Sequence, residues 1–131
     1  MWQDIKNTYH LFQAIAANLL FLFPSRGMTI IGVTGTDGKT TTASLIYHIL
    51  HTAGLSTALI STVSAIINGK TYDTGFHVTT PDSFSIQSYI SKAKKAGVKF
   101  LIIETTSHGL HQNRLFGIPF KIAVLTNISN E

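Results

Sequence analysis

The chain has 131 residues, 44% apolar and 12% charged, enough for one domain with one core and too little for two. It has no cysteine, which excludes a disulfide framework and a thiolate zinc site and suits a reducing cytoplasm. Ten Lys and Arg against six Asp and Glu give a mild net charge of +4, scattered except for Lys92, Lys94 and Lys95, so a phosphate-bearing ligand ranks above nucleic acid.

Asp4 to Leu22 reads as a helix stopped by Pro24 and the Ser25-Arg26-Gly27 turn. Within it, Leu11 to Phe23 is apolar but carries Gln13 and Asn18. A membrane-spanning helix needs about 20 apolar residues, and a signal peptide needs a basic start and a small-residue cleavage site. The segment satisfies neither pattern, so it is expected to pack on this domain or another. Met28 to Thr34 is a β-rich apolar run, followed by a Gly-rich turn and a helix from Lys39 to Ala53. That helix has apolar residues at 43, 46, 50 and 53, with Leu45 and Ile49 beside them, and Gly54 as its stop. Ser56 to Thr62 is a second strand. Val63 to Val78 reads as a small β-hairpin excursion, turned at Asn68-Gly69.

Thr80 is the expected cap of a further helix, with Pro81 in its first position and its end near Ala96. Val98 to Glu104 is a third strand, Thr106 to Phe116 a short helix, and Lys121 to Thr126 a fourth strand. Apolar strands alternating with helices predict an α/β fold, a parallel sheet covered on both faces. In such sheets ligands sit outside the carboxyl ends of the strands, and the polar clusters of this sequence fall at those ends.

The first of them is Gly32-Val33-Thr34-Gly35-Thr36-Asp37-Gly38-Lys39-Thr40-Thr41, between a predicted strand and a predicted helix. This is the setting of a phosphate-binding loop. Gly35 and Gly38 permit the backbone to turn successive N–H groups inward, and the helix start adds partial positive charge. Lys39 is placed to reach the β and γ phosphates and the Thr40 hydroxyl to ligate Mg²⁺. The standard loop's first glycine would fall on Val33, and an ordinary Gly-rich strand-to-helix turn is the bland alternative.

VTGTDGKTTT, in this spelling, resembles the Mur ligase family, the ATP-dependent enzymes that add amino acids to the peptidoglycan precursor. Three further segments agree in order: Thr79-Thr80-Pro81, Ile103 to Leu110 (IETTSHGL) with Gln112, Arg114 and Gly117, and Ala123 to Ser129 (AVLTNIS). They are most similar to the MurE-type members, which add the third peptide residue. Residues 28–131 then form the N-terminal part of a central ATP-binding domain of P-loop NTPase-like fold, truncated, with residues 1–27 a preceding helical segment.

The resemblance implies roles. Gly35, Thr36, Asp37, Gly38, Lys39, Thr40, Thr41 and Asn127 would contact nucleotide, and Thr40 and Glu104 would hold Mg²⁺. Lys39 and Glu104 would serve the chemistry, although a strand-end carboxylate such as Glu104 can also be merely solvated. Thr79, Thr80, Thr106, His108, Gln112 and Arg114 would hold a muramoyl-peptide substrate. A lone His near a helix start is more often structural or capping, and an exposed arginine remains the plain alternative for Arg114. His108 and His111 lack a third partner and do not make a zinc site.

The family's metal-ligating histidine would fall just beyond Glu131. Its carbamylated lysine, its amino-acid-selecting domain and its uridine-binding N-terminal domain are not in these residues. The expectation is therefore the ATP-binding portion of a cytoplasmic ligase, inactive alone, that activates a carboxylate as an acyl phosphate. An uncovered sheet edge would favour a homo-oligomer. The alternatives are a related ligase on a non-UDP carrier, or a non-catalytic nucleotide-binding module. A guanine-specific switch would show N-K-x-D, which Asn127 to Asn130 does not supply.

Overall fold

The computed structural model describes residues 1–62, 64–73 and 82–129. The described elements run α1 (Trp2–Leu20), β1 (Thr29–Thr34), α2 (Lys39–Thr52), β2 (Thr57–Ile60), β3 (Ser64–Ile67), β4 (Lys70–Asp73), α3 (Ser83–Lys95), β5 (Phe100–Glu104), α4 (Ser107–His111) and β6 (Phe120–Leu125). The strands form one sheet in the order β4-β3-β2-β5-β1-β6. β2, β5, β1 and β6 are mutually parallel, while β3 and β4 are antiparallel additions.

Alternation along the strands sends side chains to two faces. Ile30, Ala58, Ile60, Leu101 and Ile103 pack with Ile86, Ile90 and Ala93 of α3 on one side. Ile31, Val33, Leu59 and Ile102 pack with Ala43 and Tyr47 of α2 on the other. The expected α/β sheet with helices on both faces is therefore the observed fold. Each of these large side chains contributes about 1.5–3 kcal/mol by leaving water.

Several local expectations hold and others are corrected. Residues 63 and 74–78 of the expected hairpin segment lie outside the described residues. The expected hairpin is present as β3 and β4, with β3 pairing directly with β2 so that it lengthens the sheet. Its turn is the expected one: Asn68 and Gly69 have φ of 48° and 83°, the two positive values of a type I′ turn. The Gly69 N–H donates to the Tyr47 hydroxyl at 2.9 Å, fastening the turn to α2. On α2 the expected face holds at Ala43, Ile46 and Leu50, which pack on the core together with Tyr47, whereas Leu45 and Ile49 face solvent.

α3 begins at Ser83, capped by Asp82 and not by Thr80; Thr80 and Pro81 lie outside the described residues. Asp82 Oδ1 accepts from the N–H groups of Phe84 and Ser85 at 3.0 and 3.1 Å, and Oδ2 accepts from the Ser85 hydroxyl at 2.7 Å. Partial burial pushes the Asp82 carboxyl up, but these hydrogen bonds outweigh it and hold it below its ordinary value. α4 ends at His111, short of the expected Phe116, because Asn113 turns to a φ of 58°.

α1 runs slightly earlier than expected and lies on α3. Asn18 is buried and donates from Nδ2 to Ala14 O and Phe116 O at 2.8 and 2.9 Å, so one polar residue of the apolar segment anchors it to the turn after α4. The other face of α1, with Trp2, Ile5, Tyr9 and Phe12, is exposed. No helix among the described residues is long and apolar enough to cross a membrane.

Candidate functional site

Topology chooses the place of the site. The connection from β1 leads past β5 to β2, whereas that from β5 leads past β1 to β6. Two adjacent parallel strands whose connections leave in opposite directions open a crevice at their carboxyl ends. The loop after Thr34 and the carboxylate of Glu104 lie at those ends, since Val33 is in register with Glu104.

The loop passes from β1 through Gly35 to Gly38, which caps α2 in the left-handed region at φ 78°. No side chain caps α2, so its first-turn N–H groups point outward without an intrahelical acceptor. Such amides, with the helix dipole, attract anions. Lys39 folds over the loop and donates from Nζ to Gly35 O at 2.9 Å and Thr36 O at 3.1 Å. An ammonium held there stands beside the outward amides, a seat suited to phosphate.

In the first turn of the helix, the Thr40 hydroxyl lies 3.0 Å from each oxygen of Glu104. Glu104 is only 4% exposed and also accepts from the Thr62 N–H at 3.3 Å. Among the described residues no Lys or Arg forms an ion pair with it. A buried carboxylate without a cationic partner is costly, and a hydroxyl with a carboxylate is a hard-oxygen donor pair. The donor chemistry of this pair therefore fits Mg²⁺. Among the described residues no group of three or more His, Cys, Asp or Glu forms an all-protein metal cage.

Beside the loop is a cleft of about 700 Å³ bounded by Thr34, Gly35, Thr36 and Lys39, by Thr106, Ser107 and Leu110, and by Leu125 and Asn127 to Ser129. Lys39 and Thr106 thus face one space. Thr106 also caps α4, its hydroxyl accepting from the Gly109 N–H at 3.0 Å. His108 is exposed and pairs through Nε2 with the Gln112 amide nitrogen at 2.7 Å. Gln112 is buried, and its Oε1 has no hydrogen-bond partner among the described residues. Arg114 is partly buried, and its carbonyl accepts from the Ser83 hydroxyl at 2.9 Å, joining the turn after α4 to the start of α3. His108, Gln112 and Arg114 do not line the cleft; Thr79 and Thr80 lie outside the described residues. Thr41 is exposed on the first turn of α2.

Asn127 reaches the loop through its side chain: Oδ1 accepts from the Asp37 N–H at 3.0 Å, and Nδ2 donates to Asp37 O at 3.2 Å. Sequence reasoning did not single out Thr62, Ser107 or Thr126. Thr126 donates to Asp37 O at 2.7 Å. The only signal for these three was position, as hydroxyl residues just past strand ends.

Fold and site together define an α/β domain with a Gly-rich loop between β1 and α2 facing an acidic residue at the end of the adjacent strand. Residues 33–131 match the model of the Mur ligase middle domain, and the chain belongs to that family. It is 44% identical over 118 residues to UDP-N-acetylmuramyl-tripeptide synthetase 2 of Oceanobacillus iheyensis, covering 90% of this chain and 24% of that protein. Over 119 residues it is 40% identical to the UDP-N-acetylmuramyl-tripeptide synthetase of Deinococcus radiodurans, with 90% and 24% covered. A solved UDP-N-acetylmuramoyl-L-alanyl-D-glutamate–2,6-diaminopimelate ligase superposes with a TM-score of 0.76 at 30% identity, over 98% of this chain and 25% of that one. The chain spans about a quarter of the length of these relatives.

Proposed function

We propose that residues 28–131 are the first part of the ATP-binding domain of a cytoplasmic, MurE-like amide ligase in peptidoglycan precursor synthesis, with residues 1–27 a preceding helical segment. One observation carries this reading: the Thr40 hydroxyl meets both oxygens of a buried Glu104 at the mouth of a phosphate loop. The relatives' names supply the reaction class, ligation onto a UDP-muramoyl peptide.

In this reading the α2 amides and the Lys39 ammonium hold the β and γ phosphates of ATP. Thr40 and Glu104 would hold Mg²⁺, which when bound would neutralise charge on the phosphates. A terminal carboxylate of the muramoyl-peptide substrate attacks the γ-phosphorus, and ADP leaves. The amino group of the incoming amino acid then attacks the acyl phosphate carbon, the amide bond forms, and inorganic phosphate leaves. Thr106 faces the same cleft as Lys39 and orients the acceptor there. By resemblance Thr79, Thr80, His108, Gln112 and Arg114 also serve acceptor recognition, with guanidinium suited to carboxylate.

The test is a thermal-shift series with ATP in Mg²⁺ and in EDTA. ATP should raise the melting temperature with Mg²⁺ and much less without it, and Glu104→Gln should erase the difference. An ATP shift of equal size in both buffers, retained in Glu104→Gln, would remove Thr40 and Glu104 from the metal site.

A further inference from the structure

The backbone amides of the phosphate loop fall into two groups. The Thr36 N–H donates to Asn127 O at 3.1 Å, and the Asp37 N–H to Asn127 Oδ1 at 3.0 Å. Gly38, Lys39, Thr40 and Thr41 are the cap and first turn of α2, where helix geometry provides no acceptor and no side chain caps. Acceptor oxygens of the loop are engaged as well. Asp37 O accepts from Thr126 Oγ1 at 2.7 Å and from Asn127 Nδ2 at 3.2 Å, and Thr36 Oγ1 accepts from the Ser129 N–H at 3.1 Å. The Asn127 side chain thus grips both backbone groups of Asp37, as a neighbouring strand would.

Gly35 makes that grip possible. A Cβ there would overlap Thr126 Oγ1 and stand 3.0 and 3.1 Å from the backbone O and N of Asn127, and its φ of 140° belongs to glycine. The exit of β6 is packed against the loop at its first residue and hydrogen-bonded to its next two.

We propose that Thr126 and Asn127 are positioning residues of the phosphate loop. By occupying Thr36 and Asp37 they confine the anion seat to the amides of Gly38 to Thr41 and the Lys39 ammonium. They touch no phosphate. Thr36 and Asp37 then shape the loop instead of binding nucleotide through their amides, and the conformation of the seat depends on where the chain runs after β6. The inference rests on the reading of the loop as a nucleoside triphosphate site, but its first test needs no ligand.

That test is residue-resolved amide hydrogen exchange by NMR on the 131-residue chain. Without ligand, the Thr36 and Asp37 amides should be protected and those of Lys39 to Thr41 open. Asn127→Ala, which removes the Oδ1 acceptor and keeps the backbone carbonyl, should lower protection at Asp37 by tenfold or more while Thr36 and the β1, β2 and β5 amides keep theirs. Thr126→Val, which keeps the side-chain shape, should lower it less, and it serves in place of Asn127→Ala if that variant does not fold. MgATP should add protection at Gly38 to Thr41 and leave Thr36 and Asp37 unchanged. Calorimetry should show about tenfold weaker MgATP binding in Asn127→Ala, a difference of about 1.4 kcal/mol. A purely structural role would lower global stability without moving these local patterns. Unprotected Thr36 and Asp37 in the parent, new protection there with MgATP, or full affinity in Asn127→Ala overturns the proposal. A parent that binds no MgATP refutes the nucleotide reading and still leaves the ligand-free exchange to decide whether the grip exists.

Discussion

Replacing Gly35 by alanine separates two reasons for a glycine in this loop. The first is conformational: a φ of 140° costs an L-residue about 1–3 kcal/mol. The second is contact, because the added Cβ overlaps Thr126 Oγ1. Thr126 can rotate away only by giving up its 2.7 Å bond to Asp37 O, worth about 1 kcal/mol. The Asn127 backbone, 3.0 and 3.1 Å from that Cβ, cannot rotate away at all. Together these put Gly35→Ala at about 2–4 kcal/mol. Gly38 is the internal control, with a φ of 78° and open space around a Cβ, so Gly38→Ala should cost only about 1–2 kcal/mol. Urea denaturation followed by circular dichroism measures both, with unchanged m-values confirming that the same unit unfolds. The Gly35 variant should also melt about 8–16 °C lower, at about 4 °C per kcal/mol for a domain of this size. Equal costs at the two glycines would refute the close approach of β6 to the loop.

Asp82→Ala should destabilise α3 by about 0.5–2 kcal/mol, measured by urea denaturation. Because the folded Asp82 carboxyl sits below its ordinary value, its contribution is full above about pH 4 and is lost as pH falls through the folded value; Asp82→Asn keeps a cap and should flatten that acid limb. β6 is an edge strand with Ile122 and Leu125 exposed, so the chain should self-associate at high concentration, and Ile122→Lys should return a monomer in light scattering. A persistent monomer in the parent would count against an open edge. Without an N-K-x-D element, GTP should raise the melting temperature less than ATP does, and an equal or larger GTP shift would contradict that reading.

What was legible in the sequence was chemistry held within one short segment. Gly, Lys and Thr at fixed offsets between an apolar run and a helical run indicate a strand, a loop and a helix start, and they occur there. Asn68-Gly69 specified its turn because few other pairs accept two positive φ values. Tertiary partners decided what was missed. α2 has apolar residues on several sides, and only the sheet beneath shows that Tyr47 turns inward and Leu45 outward. Proline at a first helical position pointed to Thr80 as the cap, but the Asp82 carboxylate binds two first-turn amides and takes that role. Asn113 could equally have continued α4, and its left-handed conformation is visible only in the fold. Nothing local links Asn127 to Asp37, 90 positions earlier; the parallel pairing of β1 with β6 brings them together.

The most direct measurement of the central claim is calorimetric titration of MgATP into the parent chain and into Lys39→Ala. Among the described residues Lys39 bonds only to loop carbonyls, so the variant should keep its fold and its melting temperature within about 2 °C. The parent should bind one MgATP, and the variant should bind at least tenfold more weakly. Equal affinity in the two folded proteins, or no binding by the folded parent, would contradict the assignment of this loop to phosphate.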